Sequence, residues 1–400
     1  MKNCIVITFV FILSCTSIAK AQTYGQLLGQ EDEINTITTA VPFLMIAPDS
    51  RAGAMGDAGV ASTPDVNSQH WNPAKYAFME DEMGISISYS PWLRELVNDI
   101  NLSYLAGYYK IDHMQSISMS LRYFSLGEIM FTDRTGHELG QYKPNEFAVD
   151  AAYSRLFSEN WSGAVGLRYI NSNLTSGQNV NGAKTQAGQS IATDVAVYYQ
   201  KDINVGERDG LLAFGANISN IGAKISYSET LERDFIPINM RLGAALTTEL
   251  DNYNTLSVMA DFNKLLVPTP PIYDYDTTNG EYFIARGKDP TRPVVDGMLS
   301  SFSDAPGGLD EEINEITASL GIEYWYDKQF ALRGGYFHEH ETKGNRKYVT
   351  MGIGFRYNVF GIDFSYLVPI EQRNPLENTL RFSMVFDFKA FTADKEEKDS

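Results

Sequence analysis

Between Met83 and Phe388 the chain repeats one pattern fourteen times: a strand-length stretch with apolar or aromatic residues on one parity and small or polar residues on the other. A period of two belongs to a strand with one greasy and one wet face, and a helix cannot satisfy it. Ile117, Met119, Leu121 and Tyr123 alternate with Ser118, Ser120 and Arg122, and Leu380, Phe382, Met384, Phe386 and Phe388 with Arg381, Ser383 and Asp387. The stretches fall at 83–90, 100–110, 116–124, 146–157, 161–172, 190–201, 211–221, 238–249, 254–264, 315–327, 330–340, 347–357, 360–369 and 379–388. An even number is what a closed antiparallel transmembrane barrel requires.

The connections follow the same logic. Links after the even-numbered stretches are short, as at Ser158-Glu159-Asn160, Asp251-Asn252-Tyr253 and Asp327-Lys328-Gln329. Those after stretches 3, 5, 7 and 9 are long: 125–145, 173–189, 222–237 and 265–314. Tight turns at one end and extended loops at the other mark an outer-membrane barrel. The expected fold is therefore all-β, a 14-stranded antiparallel barrel over 83–388.

Charge placement fits that register. Arg122, Arg168, Arg241, Arg333, Arg356 and Arg381 share the polar parity with Asp150, Asp194, Asp261, Glu323, Asp363 and Asp387. Facing lipid at the midplane, an Arg would cost about 2–4 kcal/mol. Facing the lumen, the six cations and six anions can pair. The chain as a whole has 32 Lys and Arg against 50 Asp and Glu, a net charge of −18, so a nucleic-acid partner is excluded for want of a basic surface. The acidic excess is expected in segment 22–82, with nine acids and two bases, and in loop 265–314, with nine and three.

Export is expected from the N-terminus. Lys2, the apolar run Ile5–Leu13 and the small-x-small site Ala19-Lys20-Ala21 read as a signal peptide over residues 1–21. Cys4 and Cys15 both fall within it, so a mature chain from Gln22 has no cysteine and a charge of 30 − 50 = −20. No run of about twenty apolar residues follows, and no transmembrane helix is expected. Residues 389–400 form a charged tail.

Segment 22–82 does not alternate. Its centre reads Pro48-Asp49-Ser50-Arg51-Ala52-Gly53-Ala54-Met55-Gly56-Asp57-Ala58-Gly59-Val60-Ala61, followed by Trp71-Asn72-Pro73-Ala74. Gly53, Gly56 and Gly59 permit close packing or positive φ, and Asn72-Pro73 initiates a turn. The spacing matches neither nucleotide fingerprint. A barrel of this size needs more than side chains to fill it, so the segment is expected to fold inward as a plug or hatch.

With Arg51 to Ala61 and Trp71 to Ala74 leading into the first strand, the chain resembles the PorV/PorQ family of outer-membrane proteins of Bacteroidetes-type bacteria, within the FadL-like superfamily. The resemblance covers essentially the whole mature chain, and the lead-in at Pro48 with the long loop 265–314 places it nearest the PorV members. It implies a part in type IX secretion: binding the C-terminal signal domains of secreted proteins as they leave the translocon barrel, and carrying them to a sortase-containing attachment complex. A FadL-like transporter of apolar small molecules is the alternative.

Aromatic side chains on loops supply interface anchors. The expected partner-binding residues are Tyr273, Tyr275, Tyr282, Phe283 and Phe302 in loop 265–314, with Met130, Phe131 and Phe235 from neighbouring loops, while lipid and lipopolysaccharide contact the wall. No catalytic constellation or cofactor motif is present. His338-Glu339-His340 is a local cluster without a third ligand position.

Overall fold

The computed structural model describes residues 34–93, 99–132, 137–175, 179–180, 183–228, 233–370 and 379–388. The expected signal peptide, residues 22–33 and the tail 389–400 lie outside the described residues. The described part belongs to one compact unit beginning at Ile34.

Fourteen strands close into a barrel: β1 (Met83–Pro91), β2 (Ile100–Lys110), β3 (Gln115–Leu126), β4 (Asn145–Leu156), β5 (Trp161–Asn173), β6 (Gly188–Val205), β7 (Arg208–Gly222), β8 (Asn239–Glu249), β9 (Asn254–Leu265), β10 (Thr317–Tyr326), β11 (Phe330–His338), β12 (Lys347–Tyr357), β13 (Phe360–Pro369) and β14 (Leu380–Phe388). Each is antiparallel to the next, and β14 returns to β1 with Ile85 opposite Phe386 and Tyr89 opposite Phe382. The largest departure from the sequence reading is the β6–β7 hairpin, expected at 190–201 and 211–221. Its ladder runs on to Val205 opposite Arg208, with the turn at Gly206 (φ 69°). Residues 202–205 are largely exposed on both parities, so backbone pairing outlasts the lipid there and alternation carries no signal. Tight turns elsewhere use left-handed residues, Asp327 and Lys328 between β10 and β11 and Asn358 between β12 and β13.

The outward parity is apolar, as in Ile85, Ile87, Met119, Leu167 and Leu332, whereas Ser86, Ser88 and Ser90 point in and are buried. Arg168 pairs with Asp150 and with Asp194 (3.0 Å), Arg333 with Glu323 (2.6 Å) and Asp363 (2.7 Å), and Arg356 with Asp363 (2.6 Å). The expected wall-to-wall pairing is incomplete, for a reason inside the barrel. Arg381 reaches Asp57 (3.7 Å), and Arg122 and Arg241 meet His70, all residues of the N-terminal segment.

That segment lies within the lumen. A 3-10 turn Pro42–Met45, helices α1 (Ser50–Gly53) and α2 (Ser68–Trp71), and a 3-10 helix Pro73–Phe78 follow one another, and Met55, Ala58, Val60, Ala61, Ala74 and Tyr76 are completely buried. It touches the wall on several sides: the Ser162 hydroxyl donates to Ala74 O (2.7 Å), Ser116 to Tyr76 O (3.0 Å), and Arg381 to Gly53 O (3.3 Å).

The long loops carry structure that periodicity does not reveal. Loop 125–145 holds a hairpin of Ile129–Thr132 with Glu138–Tyr142, and loop 265–314 holds a hairpin of Ile272–Asp276 with Glu281–Arg286, then helices α3 (Val294–Ser300) and α4 (Leu309–Asn314). These elements are too short for a repeating pattern to register.

Candidate functional site

Two regions gather the residues singled out in the sequence: the lumenal seat of the N-terminal segment and the surface of the long loops.

In the lumen, Asp49 caps α1, accepting the Ala52 N–H (2.9 Å) and the Trp71 indole N–H (2.7 Å). The cap aims Arg51 at β10, where Nε and Nη2 donate to Glu323 Oε2 (3.0 Å) and Oε1 (2.7 Å). Nη1 also donates to Asp65 (2.9 Å) and to Thr63 O (3.1 Å). Gly56 is left-handed (φ 68°) and its N–H donates to the Thr350 hydroxyl (2.8 Å); an added Cβ would lie 2.6 Å from the Tyr336 carbonyl oxygen. Gly53 abuts Arg381, and Gly59 abuts the Trp71 ring. The N–H groups of Gly59 (2.6 Å) and Val60 (2.8 Å) converge on one oxygen of Asp261 in β9. Asn72 accepts the Ala74 N–H (3.0 Å) and donates to Val60 O (3.1 Å) and to Val197 O of β6 (3.0 Å), and Pro73 opens the 3-10 helix Pro73–Phe78.

The wall contributes glycines that sequence reasoning passed over. A Cβ at Gly215 or Gly243 would collide with Val60, at Gly321 with Met55, at Gly335 with the backbone of Met55 and Gly56, and at Gly352 with Ala54. The available signal was glycine on the inward parity of strands β7, β8, β10, β11 and β12. His70 sits between Arg122 (2.6 Å at Nδ1) and Arg241 (3.3 Å at Nε2), and burial together with the two guanidinium charges holds its imidazole well below the usual range, hence neutral. Between the segment and the wall, two pockets of about 280 and 330 Å³ share Met45, Asp57, Gly344, Arg346 and Tyr348 in their linings.

In loop 265–314, the hairpin 272–286 places Tyr273 opposite Ile284 and Tyr275 opposite Tyr282, so these four share one face, with the rings of Tyr275 and Tyr282 5.1 Å apart. All four are exposed, Tyr282 to 75%. The other face carries Asp274, Phe283, Asp276 and Glu281. Phe302 is exposed near the Lys264 ammonium, and Met130 is exposed on its own hairpin. Phe131 lies in a strand, but its side chain is outside the described residues. Phe235 is 7% exposed: it packs against Gly297 of α3 beneath the Lys224 ammonium (4.0 Å), which supports the loop from below and leaves little ring surface for a partner.

Part of the loop's acidity is consumed in its anchorage. Lys264 of β9 pairs with Glu312 (2.9 Å) and Glu315 (2.6 Å), and Lys343 with Glu315 (3.0 Å) and Glu311 (2.5 Å). Asn35 ties the same corner to the N-terminal segment, donating to Glu311 (2.8 Å) and Pro270 O (3.1 Å). The neighbouring His338-Glu339-His340 cluster is occupied by other bonds: His338 with Tyr336 (3.1 Å), Glu339 with Arg346 (2.6 Å) and His340 with Thr342 (2.9 Å). Among the described residues no group of three His, Cys, Asp or Glu is placed to hold a metal.

The family model for the type IX secretion system protein PorV matches residues 29–272. Among solved structures, the chain is similar to the toluene transporter TbuX of Ralstonia pickettii at 11% identity and a TM-score of 0.47, covering 85% of this chain and 98% of that one. The toluene transporter TodX of P. putida gives 11%, 0.48, 86% and 99%, and a FadL homologue of Pseudomonas aeruginosa 11%, 0.43, 86% and 99%. Comparison with curated proteins gives no match.

Proposed function

Because the chain belongs to the PorV family of type IX secretion system proteins, and so is an outer-membrane barrel of that secretion route, we propose that its outer loops bind the C-terminal signal domains of secreted proteins. The cargo is taken at the translocon barrel and delivered to the sortase-containing attachment complex. The observation that carries this reading is the exposed face of Tyr273, Tyr275, Tyr282 and Ile284 on a hairpin whose register holds the rings side by side. Large amphipathic rings with two side-chain torsions each lose little entropy on docking, which suits repeated capture and release. In this reading residues 22–82 act as a plug, and cargo stays outside the lumen.

A photo-crosslinker in place of Tyr273, in cells, tests it. Capture of C-terminal signal domains is expected, and Tyr282→Ala should reduce that capture without changing barrel assembly. Loss of apolar-solute uptake with secretion intact on deletion of the protein would replace this reading with the transporter alternative.

A further inference from the structure

Helix α4 has two chemistries on opposite sides. Glu311, Glu312 and the following Glu315 turn toward Lys343 and Lys264, and Glu312 also accepts the N–H groups of Asp304 (2.7 Å) and Ala305 (2.9 Å). With those three acids held, the helix cannot roll. Leu309 and Ile313, one turn apart, are left bare at 77% and 64% exposure.

The bare side does not stand alone. The Ile316 N–H bonds to Ile313 O (3.1 Å), and only Asn314 and Glu315 separate the two isoleucines as the chain passes from helix into β10. Ile316, then Leu320 and Ile322 on the lipid-facing parity of β10, are also exposed. Along the chain the five aliphatic side chains run from Leu309 to Ile322, with Asp310 the exposed polar residue of the helix, and Leu320 and Ile322 are bilayer surface.

We propose that α4 is an interfacial helix, with Leu309 and Ile313 seated among the acyl chains of the outer leaflet. The line from Leu309 to Ile322 is then one continuous lipid contact. In water, two large aliphatic side chains would stay exposed on a helix that four ion pairs prevent from burying them. The consequence is mechanical: loop 265–314 is tied to the bilayer at its C-terminal end, while its aromatic hairpin lies at the other. This inference does not depend on cargo binding.

Residues 34–400 contain no cysteine, so single labels are straightforward. Nitroxide labels at Ile313→Cys, at Leu309→Cys, at Leu320→Cys as a lipid reference and at Tyr282→Cys as a water reference would be compared in vesicles of phosphatidylethanolamine and phosphatidylglycerol. The labels at Ile313 and Leu309 are expected to collide with oxygen as the Leu320 label does, and to be roughly fivefold less open to a water-soluble nickel chelate than the Tyr282 label. Nickel access equal to that at Tyr282 overturns the proposal. So does spin–spin broadening between chains, which would mean that a second copy covers the helix.

Discussion

Arg51 and Glu323 form a two-point ion pair inside the barrel, with Nε to Oε2 at 3.0 Å and Nη2 to Oε1 at 2.7 Å, joining the N-terminal segment to the middle of β10. Both residues are almost fully buried, and Glu323 bonds at the same time to Arg333 (2.6 Å). Planar guanidinium against planar carboxylate fixes direction as well as distance, which positions α1 against the wall.

Arg51→Met should destabilise the folded barrel by about 3 kcal/mol, the low end for one partner removed from a buried pair, because Arg333 remains on Glu323. The temperature at which the folded, fast-migrating form is lost on a semi-native gel measures this. An unchanged transition would mean that the pair contributes nothing.

Gly335→Val should dislodge the segment, because its Cβ would occupy the place of the Met55 and Gly56 backbone, whereas a Cβ at the outward Gly334 meets nothing nearer than 3.5 Å. Limited proteolysis around residues 50–60 should therefore be faster in Gly335→Val and unchanged in Gly334→Val. Equal behaviour of the two variants would remove the glycine seat from the account.

Asp49 gives the segment a pH signature. Burial first, and then the nearby Asp65 carboxylate, push its carboxyl up to about 6, against the Ala52 and Trp71 N–H bonds that pull it down. A raised acid stabilises the folded state fully below its ordinary value near 3.8 and loses that contribution as pH rises through about 6. Between pH 4 and 6.5 the wild-type thermal midpoint should fall relative to that of Asp49→Asn, and parallel curves would contradict this.

Lys264→Met removes a shared cation from Glu312 and Glu315. Residues 304–316 should lose about 2 kcal/mol of local stability and exchange amide hydrogens faster, with the 272–286 hairpin unaffected. Uniform loosening of the whole loop would show that the hairpin, too, depends on this clamp.

The barrel was legible because a closed sheet between lipid and a polar interior must alternate, and residues such as Ile117 to Tyr123 have no other reason to. It ceased to be legible where lipid ended: beyond Gln200 both faces of the β6–β7 hairpin meet water, and the ladder continues with no hydrophobic contrast to report it. The loop aromatics could be picked out by type and position, but not sorted. Tyr282 and Phe235 look alike in sequence, and one is open while the other lies under α3.

Strand number and the inward parity of Arg168, Glu323 and Arg333 were determined by the sequence alone, since each follows from a local period and the cost of charge in lipid. The tertiary structure decided which inward charges pair across the wall and which serve the N-terminal segment, why wall glycines face Met55 and Val60, and which side of α4 is bare. Those outcomes rest on contacts between residues far apart in the chain, 328 positions in the case of Arg381 and Gly53, and no periodicity along the chain encodes a distance across a lumen.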